Sequence, residues 1–418
     1  MGKEGVYMGI DTILLFALSL PWPLKYRIYP MEGTPYALFG VFFTLLLFYT
    51  AIDLQWLRFH TPLAKWRLKC IVLCLIIIIA AGCPLMTAIV DRSRVAPVFG
   101  VHYIILQLEA AMRFLISGIN PYAVTYFGTH MEGWRYEELG KDAVNPALYH
   151  FVMPPWYLLS AFFFYPFVKI FGFFDGRLPL VFSYFGTLTL LALWIKDYRK
   201  KILAILVTAF NPVMFDYLLE GRSDHFAFFW LLLALFLCHR RHHALATITY
   251  ALALLSKQTI WLSLPFMFLY WSKNSVRKSI PEMILVAGLL VGTIAIILGP
   301  FFLWDPHAYW QSTVAFLQGT TPVSYPVAGY GWGMVLYQLG VIRDIHAYYP
   351  FMHWQVAAGV PTVWFLFRWL RNKLTMGRLL IAYGVFLFVF WYFSRYFHNS
   401  HLAYISLVLS VGYFLEDA

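Results

Sequence analysis

Long apolar runs separated by short polar ones dominate this chain. Predominantly apolar stretches long enough to cross the ~30 Å hydrocarbon core of a bilayer fall at 36–57, 70–90, 178–196, 282–303 and 348–370. Shorter ones fall near 9–20, 201–215, 224–238, 379–394 and 399–414, and 243–271 reads as two short apolar pieces split by "SKQ". The pattern predicts an all-α, polytopic membrane helical bundle of about 11–12 transmembrane helices. Residues 9–20 precede "PWPLKYRIYP" with no small-residue cleavage site, so they read as a retained first span rather than a signal peptide. There is no internal repeat at a fixed period and no low-complexity segment.

Composition agrees. The chain is 61% hydrophobic and 12% charged, against about 45–50% and about 25% in soluble domains. The net charge of +11 does not point to nucleic acid, because the cations gather in short clusters between apolar runs. "RFHTPLAKWRLK" (58–69), "KDYRKK" (196–201), "HRRHH" (239–243), "SKNSVRK" (272–278) and "RWLRNKLTMGR" (368–378) read as cytoplasmic topology determinants. The four cysteines, Cys70, Cys74, Cys83 and Cys238, have no zinc-finger spacing with histidines. Parity then puts both termini in the cytoplasm of a multi-pass plasma-membrane protein, provided the proline- and aromatic-rich stretch 155–174 lies at the outer interface.

Two outer segments result, 91–177 and 304–347. Asp91, Glu109, Glu132, Glu137, Glu138, Asp142, Asp175, Asp216, Glu220, Asp224, Asp305 and Asp344 all fall on that side. Carboxylates barely influence topology, so this bias points to a polar cavity open to the outside.

Four motifs occur in order: "LEAAMRFLISGINPYAVTYFGT" (108–129), "NPALYHFVMPPWYLL" (145–159), "EGRSDHFAFFWLLLAL" (220–235) and "ALALLSKQTIWLSLPF" (251–266). Together they resemble the GT-C superfamily of integral-membrane glycosyltransferases, nearest to its polyprenyl-phosphate-sugar-dependent, alpha-mannosyltransferase-like branch. The resemblance covers roughly residues 70–410, leaving 1–60 as an N-terminal two-span addition to a bundle over 61–418. It implies transfer of a hexose, mannose in that branch, from a polyprenyl-phosphate-linked donor to a lipid, glycan or protein acceptor at the extracytoplasmic face. The partners are then membrane lipids and these substrates, with no nucleic acid.

Such a reaction needs a carboxylate near the acceptor oxygen, cations near the departing phosphate and a groove for the lipid tail. The similar proteins carry an aspartate about 19 residues before "NPY"; here Tyr103 stands at that position. Asp91, at the end of span 70–90, and Glu109, on the helix expected over 103–117 after His102, are the substitute bases. Asp91 otherwise reads as a solvated span boundary, and Glu109 as an i,i+4 partner of Arg113. "GINPY" reads as a helix stop at Gly118 followed by a rigid turn. His150 reads either as a phosphate or acceptor contact or as a hydrogen-bonded packing residue.

Lys257 and Gln258 interrupt an apolar pair of segments, which fits phosphate binding or a lysine paired with Asp224 or Glu220. Arg395, His398, Asn399 and His401 share the shortest outer turn, a donor-phosphate site through Arg395 and His398. "EGRSDH" supplies Arg222 and His225 to the same phosphate, or alternatively a helix cap with a Glu220–Arg222–Asp224 ion network. No metal-ligand set stands out and no cofactor is required, although some relatives of this kind use a divalent cation (Mg or Mn), which stays open. No Walker loop, Rossmann fingerprint, G-x-S-x-G or H-E-x-x-H is present. Two other functions compete: a catalytically inactive lipid-binding scaffold subunit, for which Tyr103 argues, and a lipid or sugar transporter, against which the one-sided polar residues argue.

Overall fold

Helices account for nearly all regular structure in the computed structural model, which describes residues 8–24, 34–57, 59–134, 144–168, 172–275 and 280–416. Glu137, Glu138, Asp142 and part of the 272–278 cluster lie outside the described residues. In chain order the main helices are α1 (Ile10–Ser19), α2 (Tyr36–Asp53), α3 (Pro62–Val95), α4 (Tyr103–Ile116), α5 (Pro155–Ala161), α6 (Leu178–Trp194), α7 (Tyr198–Ala209), α8 (Met214–Glu220), α9 (Asp224–His239) and α10 (His243–Leu254). They continue as α11 (Leu264–Ser275), α12 (Ile280–Trp304), α13 (306–318), α14 (Trp332–Gln338), α15 (Phe351–Asn372), α16 (Met376–Tyr392) and α17 (Asn399–Phe414).

Among the described residues three helices are long and apolar enough to cross a membrane, namely α2, α3 and the Glu282–Trp304 part of α12. The pair α7 and α8, bent by 51°, satisfies the same test jointly. Helices α1, α6, α9, α10 and α16 are apolar but shorter. The described part of segment 155–174 is no long span: a seven-residue helix leads into a six-residue 3₁₀ turn, Phe162–Phe167, together roughly 20 Å long. Pro155 starts that helix at a position where no N–H is needed, and Pro166 helps keep its continuation from becoming α-helical.

Local sequence explains the breaks. Within α3 a π-turn at Ile78–Gly82 precedes Pro84, whose ring cannot donate into the helical ladder. Helix α4 ends at Ile116, and Gly118 takes φ +72 where "GINPY" begins its turn. Helix α8 ends at Gly221, φ +96, so the chain turns sharply between α8 and α9. A Cβ on Gly221 would run into the Ile105 side chain and meet Arg177. Gly221→Ala is therefore expected to destabilise the protein by more than about 1 kcal/mol; a melting temperature in detergent equal to wild type would contradict this.

Two large apolar cores sit side by side. One joins α1–α6 and the loops between them; the other joins α9, α10, α16 and α17. Backbone ties beside the first core frame a chamber. His102 N donates to Glu220 O at 2.7 Å, Trp156 N to Leu255 O at 3.0 Å and Tyr126 N to Leu148 O at 2.7 Å. A two-residue parallel pairing, Ala328–Gly329 with Tyr396–Phe397, ties segment 304–347 to the turn before α17.

Candidate functional site

Between these elements lies a half-open cavity of about 1500 Å³. Its polar end is lined by His102, Tyr103, Glu220, Arg222, Asp224, Lys257, Gln258, Arg395, His398 and His401. Its apolar end is lined by Met352, Val356, Gly359, Val360 and Val363 of α15 and by Phe386 and Phe390 of α16. The apolar residues recur at helical spacing on α15, and Met352, Val356 and Val360 are 65%, 50% and 64% exposed. Among the described residues Met352, Val356 and Val360 form an exposed apolar wall.

The cations divide by what they already hold. Lys257 Nζ donates to Asp224 Oδ1 at 2.6 Å. Arg222 lies 3.4 Å from Glu220 Oε2, donates to Ser400 Oγ at 3.2 Å and stacks over the Tyr217 ring at 4.7 Å. The ion pairing thus runs Glu220–Arg222 and Asp224–Lys257, without the Arg222–Asp224 link of the network reading. Arg395 is different: Nε donates to Tyr325 O at 2.5 Å, Nη1 to Ala347 O at 2.9 Å, and Nη2 to Ile345 O and His346 O at 3.2 and 3.1 Å. Four of its five N–H groups are spent on backbone carbonyls. It fastens segment 304–347 over the chamber, and burial pulls its guanidinium below the usual range.

Three imidazoles complete the polar end. His398 and His401 cap α17 reciprocally, each ring accepting from the other residue's backbone N–H; the His398 N to His401 Nδ1 distance is 3.0 Å. His102 Nδ1 accepts from Ile104 N at 3.4 Å as it caps α4. A neutral imidazole that accepts at one nitrogen donates at the other. For His102, burial, followed by the positive charges of Arg222 and Lys257, holds the imidazole well below its usual range.

A depressed histidine is stable neutral and costs stability once the unfolded chain binds the proton the native state refuses. Its contribution is complete above about 6.5 and is lost as pH falls below that value. The melting temperature is expected to drop between pH 7 and pH 5, and His102→Gln should flatten part of that drop; an unchanged pH slope would contradict it.

The other anticipated residues lie elsewhere. Glu109 does not line the cavity: its oxygens accept from Arg92 Nη1 at 2.7 Å, Arg92 Nη2 at 2.8 Å and Gly176 N at 2.9 Å. Arg92 also reaches Asp175 Oδ2 at 3.0 Å, and Arg177 pairs with Asp175 at 2.8 Å. Burial raises the Asp175 carboxyl, but the hydrogen bonds and charge of Arg177, with that of Arg92, more than offset this and leave it below the usual range. Arg92, rather than Arg113, is therefore the partner of Glu109. Asp91 sits half-exposed on the last turns of α3, outside the lining.

His225 is buried against the Tyr184 ring at 5.6 Å, away from the lining. His150 meets Ser312 Oγ at 3.3 Å and the Phe316 ring at 5.0 Å, and burial lowers its pKa. Gln258 spends its amide on Val152 O at 2.6 Å and Thr313 O at 3.0 Å, tying segments 91–177 and 304–347 together. Tyr103 hydrogen-bonds through its hydroxyl to Tyr325 and packs against Trp134.

Among the described residues no three His, Cys, Asp or Glu side chains converge as a metal site. Asp224 is engaged by Lys257 and the α17 histidines cap each other, so the residues present do not fit a Mg or Mn ion. Sequence reasoning did not anticipate Tyr325, Trp134 or the α15 wall. The charge-free stripe Met352, Val356, Gly359, Val360, Val363 was the signal for the last of these. Compared with family models, with curated proteins and with solved structures, the chain matches none.

Proposed function

We propose that this protein is a membrane glycosyltransferase of GT-C type that moves a hexose from a polyprenyl-phosphate carrier to an acceptor at the extracytoplasmic face. The observation that carries this reading is that one cavity is lined both by Arg222, Lys257 and three imidazoles and by exposed apolar residues of α15, which suit the two halves of an isoprenoid phosphate. The phosphate sits against Arg222 and Lys257 with N–H groups of the neutral imidazoles around it, where a partly dry site strengthens charge-assisted bonds. The tail lies along α15 and α16. The reading also takes the shorter apolar helices as spans of a bundle of about 11–12, with both termini cytoplasmic and the cavity opening outward.

The chemistry is a displacement at the anomeric carbon. The acceptor oxygen forms a bond to C1 while the C1–O bond to phosphate breaks, and its electron pair leaves with the phosphate. Arg222 stabilises the phosphate before and after the step, so its loss acts mainly on donor binding. Arg222→Met is expected to raise the donor KM about 10- to 100-fold, from the ~1.5–3 kcal/mol of one charged hydrogen bond.

The test is hexose transfer from polyprenyl-phosphate mannose, glucose and galactose by the purified full chain in lipid nanodiscs. Transfer from at least one donor supports the proposal. Binding of the donors without transfer or hydrolysis would instead favour the scaffold reading, for which the engagement of Tyr103 and Glu109 with other residues speaks.

A further inference from the structure

Resting on the glycosyl-transfer reading, the geometry points to Asp224 as the base that takes the acceptor proton, with Lys257 as its switchable partner. Among the described residues Glu220 and Asp224 are the only carboxylates lining the cavity. They differ in environment. The Glu220 side chain is 48% exposed, whereas Asp224 is 6% exposed. A base that must take its proton from a bound hydroxyl rather than from bulk water belongs in the enclosed position.

The Asp224 carboxylate is also half committed. Oδ1 accepts from Lys257 at 2.6 Å, while Oδ2 accepts no hydrogen bond among the described residues. The left-handed turn at Gly221 brings this carboxylate to the first turn of α9, at the chamber. Glu109, by contrast, has both oxygens occupied by Arg92 and Gly176.

Lys257 links the two ends of the reaction. In the ground state the sugar phosphodiester carries one negative charge and Lys257 holds Asp224. As the C1–O bond breaks, the phosphate becomes a monoester with a second negative charge, and the Lys257 ammonium is drawn toward it. Asp224 loses a counter-ion as its Oδ2 receives the acceptor proton, so charge moves off the carboxylate as it appears on the phosphate. Protons, bonds and charge balance with no further reactant. His225, Tyr157, Tyr383 and Tyr404 lie within electrostatic reach of Asp224, and His102 and His401 within reach of Lys257; Glu220, Arg222, Tyr103, Arg395 and His398 line the same cavity.

The test uses the full chain in nanodiscs with the three polyprenyl-phosphate hexoses, and with water and methyl glycosides as acceptors. Asp224→Asn keeps the shape and a hydrogen-bond acceptor for Lys257. It should lower kcat about 10²–10⁴-fold, leave the donor KM near wild type, and abolish the acid limb of the pH–kcat profile. Asp224→Glu should recover part of the rate.

If wild type transfers sugar and Asp224→Asn turns over at a similar rate, Asp224 is not the base, although the glycosyl-transfer reading stands. A loss confined to donor KM or melting temperature would make Asp224 a structural partner of Lys257 and overturn the assignment. If wild type transfers none of the three sugars, that reading itself fails and takes the base with it.

Discussion

Arg92→Met is expected to destabilise the protein by about 3–5 kcal/mol, the usual cost of removing one partner from a buried ion network. Arg92 is 5% exposed and holds Glu109 through two parallel bonds, Asp175 through a third and Pro97 O through Nε at 2.6 Å. With Arg177 these residues form a neutral set of two cations and two anions. Removing one cation leaves two carboxylates sharing Arg177, which is itself tied to Ala88 O and Leu219 O at 2.8 and 3.2 Å. The end of α3, α4, the start of α6 and the end of α8 all meet here, so the chamber should loosen along with the fold. Arg92→Lys should recover only part, since an ammonium cannot form the parallel pair. The check is the melting temperature in detergent, with Asp91→Asn on the same helix as a variant expected to stay within about 0.5 kcal/mol.

Lys69→Met should cost a similar ~3–5 kcal/mol, at the other end of the molecule. Lys69 is fully buried, 2.5 Å from Asp11 Oδ2 and 2.8 Å from Asp53 Oδ1. Tyr49 OH donates to Asp11 at 2.6 Å, Thr12 OH to Asp53 at 2.7 Å and Gly9 N to Asp53 at 2.6 Å. This node holds α1 and α2 against α3, and without the lysine two buried carboxylates are left with Lys65, at 3.4 Å from Asp53, as the cation paired with them among the described residues. Limited proteolysis between α2 and α3 should become fast in Lys69→Met. The triple variant with Asp11→Asn and Asp53→Asn should regain part of the stability, because the uncompensated charge is gone. Wild-type protease resistance in the single variant would contradict the assignment.

These two nodes mark where the sequence was legible and where it was not. Apolar runs and helix stops such as Gly118 read directly, because length, hydropathy and positive φ are local properties. Residue types for the polar end also read directly, since a cation or imidazole inside an apolar segment requires a polar neighbour. Partnerships did not read. Glu109 has Arg113 at i,i+4 in sequence but pairs with Arg92, 17 positions away, and Lys69 counted as a cytoplasmic charge although its counter-ions come from α1 and α2.

Arg395 illustrates the same limit. Its sequence context fits a phosphate clamp, yet the carbonyls of Tyr325, Ile345, His346 and Ala347 fold back onto it and use its donors. His398 and His401 at a three-residue spacing could equally be ligands or a reciprocal cap, and only backbone geometry separates the two.

The central claim, that the cavity holds an isoprenoid phosphate, is tested most directly by photo-crosslinking. A diazirine-bearing polyprenyl phosphate in nanodiscs, with mapping of the labelled peptides, is the measurement. The account predicts label on α15 and α16, around Met352–Val363 and Phe386–Phe390, competed by unlabelled polyprenyl phosphate and weakened by Arg222→Met. Label spread over the lipid-facing helices, with no competition and no response to Arg222, would contradict it.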